Sequence, residues 1–146
     1  MFYDSLNMFS DQQAITATAD STKKVHLGGL KIAGKMDPIF IDIRVNADFN
    51  TLTSLKVELQ QADTESGSYA TVAGGDTGAI LLADLKAGYK FGLRILPRSV
   101  TKPWLKLVYT VAGTPPTTGK VTAALVREEQ DSYEAGQYID KGRVIA

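Results

Sequence analysis

No cysteine occurs among the 146 residues, histidine and tryptophan occur once each, and neither sign of charge is in excess. Each absence closes a class of explanation. Without thiols there is no disulfide and no thiolate metal site, so stability has to come from packing or assembly. Lys plus Arg and Asp plus Glu stand at 16 each, which removes any sequence-wide attraction to phosphate or anionic lipid. Neither nucleic acid nor a membrane is therefore an expected partner. No window approaches the ~20 apolar residues of a membrane helix, and the opening MFYDSLNMFSDQQAIT lacks a basic stretch followed by an apolar run. A soluble, unexported product is expected. Tandem repeats and linker-like low-complexity segments are absent too, and a chain of this length suits one domain with one core. Within it the expected divisions are an N-terminal arm and first strand over 1–20, a core over 21–130 and a C-terminal tail over 131–146.

What the chain does contain is strict alternation of apolar and polar residues. Ile39, Ile41, Ile43 and Val45 alternate with Phe40, Asp42, Arg44 and Asn46; Leu55, Val57 and Leu59 alternate with Lys56, Glu58 and Gln60. Phe91, Leu93 and Ile95 alternate with Gly92 and Arg94, and Leu105, Leu107, Tyr109 and Val111 with Lys106, Val108 and Thr110. A period of two puts one set of side chains on a core face and the other on a wet face, which is a half-buried strand. Weaker strand candidates are Gln13–Ala19, Val25–Leu27, Thr71–Val72, Ile80–Leu82 and Val121–Val126. Turn residues cluster between them, at Gly28-Gly29, Asp37-Pro38, Asn46–Asn50, Glu65–Ser68, Gly74–Gly78, Pro97 and Gly113–Gly119. Only Asp4–Phe9 and Asp84–Gly88 are left for a turn of helix. The fold class expected is all-β: an antiparallel β-sandwich or jelly roll with little or no helix. The charges Asp42, Arg44, Lys56 and Glu58 are placed on solvated faces, where opposite charges pair across strands for roughly 0.2–1 kcal/mol each.

Both ends of the chain are apolar outside any clear strand, with Phe2, Tyr3, Leu6, Met8 and Phe9 at one end and Tyr133, Tyr138, Ile139, Val144 and Ile145 at the other. Apolar tails dock, either on their own domain or on a neighbouring subunit, where aromatic anchors concentrate binding energy. Open sheet edges add a second route to assembly.

Catalytic groups are thinly supplied. His26 sits between Val25 and Leu27 and reads as a structural or surface histidine; no G-x-S-x-G elbow supplies a nucleophile. The segment Gly113–Lys120 has the outline of a phosphate loop but is one residue too long. It carries Val121 in place of the metal-binding hydroxyl, contains Pro115 and Pro116, and precedes a strand instead of a helix. A hairpin loop is the better reading. Ala73–Gly78 lacks the aspartate spacing of a calcium loop. Carboxylate pairs such as Asp37 with Asp42, or Asp63 with Glu65, are of the type that serves a glycosidase or binds calcium, but sequence spacing does not place them at the ~5–9.5 Å that acid–base work requires. Trp104 and Tyr109 would suit sugar stacking in a lectin-like module, though Tyr109 shares the alternation of the apolar set. No cofactor, metal or catalytic residue is assigned, and the chain is not expected to be an enzyme.

Three groups of motifs, in order along the chain, carry a resemblance. They are Phe9-Ser10-Asp11-Gln12-Gln13-Ala14-Ile15-Thr16; the strand Leu55–Gln60 with Asp63 and the turn Gly67-Ser68-Tyr69; and the run Leu105–Pro115 followed by Gly119, Val121, Thr122 and Ala123. In these the sequence resembles the capsid cement (decoration) proteins of short-tailed double-stranded DNA phages, typified by the cement protein of a Bordetella phage. The resemblance implies a jelly roll and a non-enzymatic virion protein on the outer surface of an icosahedral head. There it would tie major capsid protein subunits together, as a homodimer. Candidate subunit contacts are Phe2, Tyr3, Phe9, Pro115, Pro116, Tyr133, Tyr138 and Ile139. The alternative is a carbohydrate-binding jelly roll that aids adhesion of the particle.

Overall fold

The computed structural model describes residues 5–27 and 39–126. Nine strands account for most of them: β1 (Met8–Ala14), β2 (Ala19–Asp20), β3 (Val25–His26), β4 (Phe40–Ala47), β5 (Leu52–Ala62), β6 (Ala70–Asp76), β7 (Ile80–Leu81), β8 (Trp104–Gly113) and β9 (Lys120–Val126). The only helical pieces among the described residues are single 3-10 turns, Ser5–Asn7 and Leu82–Asp84.

All the pairings are antiparallel and fall into two sheets. One has the order β1-β9-β4. Along the other edge of β4 runs an irregular segment, residues 88–96, bonded through Phe91 N to Ile43 O (2.9 Å), Ile41 N to Arg94 O (2.8 Å) and Leu96 N to Ile39 O (2.8 Å). The second sheet has β8 and β5 at its centre; β2 and β3 follow one another along β8, and β6 and β7 along β5. With β2/β3 and β6/β7 each taken as one interrupted strand, eight strand positions result, in the order 1-8-3-6 against 2-7-4-5. That is the jelly-roll order, so the all-β sandwich expected from alternation is the fold, with its two Greek keys.

The core lies between the sheets. Leu55, Val57 and Leu59 of β5 and Leu105, Leu107 and Tyr109 of β8 are each 0 % exposed, and they meet Ile41, Ile43 and Val45 of β4 with Val121, Ala123 and Leu125 of β9. Two side chains join the layers by a polar link. Tyr109 Oη of β8 lies 2.7 Å from Ser10 Oγ of β1, and Ser10 in turn donates to Gln13 Oε1 at 2.6 Å, which leaves Tyr109 as the donor to Ser10. Burial pushes the Tyr109 phenol well above the usual tyrosine range, with the Ser10 bond opposing this to a smaller degree. The raised value makes the folded state hold a proton that the unfolded chain gives up near pH 10, so stability falls as pH rises above that point. Tyr109→Phe is expected to flatten this alkaline loss and to cost about 1 kcal/mol near neutrality, measured by urea unfolding between pH 7 and 11.

Several expectations need correction. The first strand is not Gln13–Ala19: β1 occupies Met8–Ala14, and residues 15–18 form the turn into β2. The β1–β9 register breaks twice, and Gln12 at φ 48° sits in the second break, so alternation is lost where the strand is real. The run Phe91–Ile95 is no regular strand: residues 90–95 form isolated bridges at Lys90 and Ile95 beside the backbone bonds of Phe91 and Arg94. Its irregularity turns Leu96 inward and leaves Ile95 51 % exposed, against its expected place in the core. Asp42 is not on a wet face, being 1 % exposed. The charge pairs Arg44 with Asp42 and Lys56 with Glu58 lie along single strands, two residues apart, because such residues share a face. Of these four charges, Asp42 pairs across to Lys90 and Lys56 across to Asp76, both at 3.8 Å, and Lys106 of β8 adds a shorter cross-strand pair with Asp20 of β2 at 2.8 Å.

Candidate subunit-contact surface

One end of the sandwich gathers four connections: the β1–β2 turn, the β4–β5 loop, the segment 82–88 and the β8–β9 loop. Backbone bonds tie them together, from Ile15 N to Gly119 O (3.1 Å), Phe49 N to Leu85 O (3.2 Å) and Gly88 N to Val45 O (2.8 Å). The β8–β9 loop is the Pro-rich segment expected to be a hairpin, and that expectation is corrected: β8 pairs with β5 in one sheet and β9 with β1 and β4 in the other, so the loop crosses between the sheets, and it leads into a strand where a phosphate loop needs a helix.

Asn50 holds this loop in shape. Its Oδ1 accepts from Thr117 N (2.9 Å) and Thr118 N (3.3 Å), and its Nδ2 donates to Thr117 Oγ1 (2.8 Å). Thr51 Oγ1 donates to Pro115 O (3.1 Å), and Thr118 Oγ1 donates to Asp48 O (3.1 Å). Asp48 Oδ1 accepts from Ala87 N at 2.7 Å, which fixes the neighbouring loop as well. Glycine is required at the base: Gly119 has φ +132°, and a Cβ there would overlap Cγ, Cδ1 and Cε1 of the Phe49 ring. Pro115 is exposed at the tip, whereas Pro116 is buried and so serves the loop's own packing. Phe9 is 0 % exposed within the intersheet core, so its side chain is docked on its own domain. Phe2, Tyr3, Tyr133, Tyr138 and Ile139 lie outside the described residues.

The rigid end is thus a polar, threonine-rich crown with one exposed proline, held by side chain to backbone bonds that leave its main chain little freedom. Asn50 was not singled out from the sequence. Its signal is its position in the turn cluster 46–50, since asparagine in a loop is suited to bonding nearby backbone.

The outward face of the β2/β3-β8-β5-β6/β7 sheet is wet and internally paired. Lys106 Nζ reaches Asp20 Oδ2 at 2.8 Å and lies 4.7 Å from the Tyr69 ring centroid; Lys24 lies 5.3 Å from the same ring. Lys56 bonds Glu58 at 2.6 Å. The Lys56 bond and then that from Thr71 hold the Glu58 carboxyl below its ordinary value. This pairing neutralises a face that would otherwise present separate charges.

The remaining chemistry-bearing residues are dispersed. His26 packs edge-on against Trp104, with ring centroids 4.8 Å apart and planes at 64°. Trp104 is half-buried, so no open aromatic platform is presented there. Asp63 pairs with Lys102 at 3.2 Å, Glu65 is exposed, and Asp37 lies outside the described residues. Among the described residues no group of three or more His, Asp or Glu side chains is placed to hold a metal ion, and no helix is long and apolar enough to cross a membrane.

The sequence model of a protein family described as Bbp16, a name that points to a Bordetella phage protein, matches residues 9–125. The match takes in every strand from β2 to β8 and nearly all of β1 and β9. No curated protein matches the chain. The chain belongs to the Bbp16 family.

Proposed function

We propose that this member of the Bbp16 family is a non-enzymatic virion protein that cements the outer surface of an icosahedral phage head by binding major capsid protein subunits. The observation that carries this reading is the family match across residues 9–125, with the jelly roll as its architectural counterpart. Two physical features support it. A chain with no net charge suits the outside of a shell, because the genome-facing side would favour a basic surface. A crown of loops pinned by Asn50 and Asp48 offers a binding surface already in its bound shape, which lowers the ordering cost of association.

Cement acts by mass action: a protein that binds assembled subunits and not separated ones stabilises the assembly. As a homodimer it would present the crown twice, so that two capsid contacts reinforce one another. Heads lacking this protein are expected to rupture at lower temperature than complete heads, and purified protein added back is expected to restore the difference. Unchanged rupture on both removal and restoration would refute the cement role.

A further inference from the structure

The end of the sandwich opposite the crown carries a groove of about 540 Å3, lined by Leu6, Met8, Thr22, Lys23, Lys24 and Glu65. Strand direction fixes its place. The turn before β1, the β2–β3 connection opposite the start of β8, and the loop after β5 all lie at the far end. β8 spans ten residues, about 33 Å at ~3.3 Å per residue, so groove and crown are separate surfaces.

The wall formed by residues 22–24 is fixed through its main chain. Lys23 N donates to Phe9 O (2.9 Å), Lys23 O accepts from Ser21 Oγ (2.8 Å), and Thr22 N donates to Gln13 Oε1 (3.0 Å). The facing loop is tied to this wall. Lys24 Nζ donates to the main-chain oxygen of Glu65 at 3.1 Å, and Tyr69 Oη donates to the same oxygen at 2.9 Å. A partner therefore meets side chains presented from backbone that is already in position.

The occupant follows from charge and apolar exposure. Lys106, beside the groove, is taken by Asp20, which leaves Lys23 and Lys24 against the single carboxylate of Glu65. The bond of Lys24 goes to a carbonyl, so its charge stays uncompensated, and the Lys23 ammonium has no hydrogen bond or ion pair among the described residues. Both lysines are exposed. Leu6 is 80 % exposed, more than any other large apolar side chain among the described residues, and it stands in the groove beside Met8. A phosphate chain would meet the Glu65 carboxylate and leave Leu6 in water.

We propose that this groove takes an acidic peptide segment bearing an apolar side chain, with its carboxylates on Lys23 and Lys24 and its apolar group against Leu6 and Met8. The proposal rests on the cement role, under which the segment belongs to a major capsid subunit other than the one at the crown. One molecule then bridges two subunits by its two ends.

Full-length protein added back to heads that lack it, followed by zero-length carbodiimide coupling and peptide mass spectrometry, tests this. The expected product joins Lys23 or Lys24 to an Asp or Glu of a major capsid subunit. K23E/K24E is expected to lower head occupancy about tenfold or more at subsaturating protein. Because Lys24→Glu removes the bond to Glu65, Lys23→Glu is also tested alone; it disturbs no such bond and is expected to lower occupancy several-fold. Parent-level occupancy for both variants would overturn the proposal and leave the cement role standing. Links from Lys23 and Lys24 that reach only carboxylates of this chain, in the same or a second copy, would overturn it as well. Parent protein that does not bind heads at all would refute the cement role and the proposal with it.

Discussion

Gly119→Val is expected to destabilise the protein by about 3 kcal/mol or more, the combined effect of a backbone conformation closed to β-branched residues and a steric overlap. Gly119 lies at φ +132°, and any Cβ built there overlaps Cγ, Cδ1 and Cε1 of the Phe49 ring, itself 3 % exposed and packed in the core. The loop has no easy way to give. Ile15 N bonds Gly119 O at 3.1 Å from one side, and Asn50 clamps Thr117 and Thr118 from the other. The two contributions separate by experiment. Gly119→Ala in a Phe49→Leu background relieves part of the overlap but none of the φ strain, so the cost of the glycine substitution should shrink there without vanishing. Thermal unfolding of the four variants gives the coupling, and additive effects would show that Phe49 is not what Gly119 makes room for.

Asp42→Ala should cost about 3 kcal/mol, since it removes a fully buried carboxylate that two little-exposed cations share. Arg44 Nε donates to Asp42 Oδ2 at 3.0 Å and Nη2 to Oδ1 at 3.1 Å, while Lys90 Nζ stands 3.8 Å from Oδ1. The side chains of Arg44 and Lys90 are 14 % and 11 % exposed, so water replaces little of what the carboxylate supplied. Lys56→Ala is the contrast. Its ion pair with Glu58 is shorter, at 2.6 Å, but the lysine side chain is 34 % exposed and solvent takes over when the pair is lost. Denaturant midpoints should move strongly for Asp42→Ala and hardly at all for Lys56→Ala. Equal shifts would mean that burial is not what sets the value of these pairs.

What was legible in the sequence was whatever burial on one face writes as period two. β4, β5 and β8 sit where Ile41–Val45, Leu55–Leu59 and Leu105–Val111 alternate, and the jelly roll follows from these with the turn clusters between them. β1 was misplaced because MFSDQQA has no alternation to show. Its residues are held by bulged pairing to β9 and by the Ser10–Tyr109 link, both long-range in sequence. Asp42 was misread for a related reason: alternation separates the two faces of a strand but does not say that the second is wet. The missed signal lay in β9, where Val121–Val126 contains no charged residue, the mark of a strand buried on both sides. At the crown, a stiff loop was legible from Pro115, Pro116 and the two glycines, but its crossing from one sheet to the other was not, since alternation does not say which strands β8 and β9 pair with. Asn50, 67 positions away from Thr117, could not be connected to it by local pattern.

These placements bear on how a cement protein would work. The wet face of the second sheet has its charges paired within itself, and Phe9 and Pro116 are used internally. Pro115 and its neighbouring threonines therefore remain the exposed part of a loop end whose shape is fixed before any partner arrives. Electron microscopy of the assembled phage particle tests the central claim most directly. Jelly-roll density fitting residues 9–125 on the outer surface of the head, in contact with at least two major capsid subunits, is the predicted result. Density for this chain inside the shell, in the tail alone, or touching a single capsid subunit would contradict it.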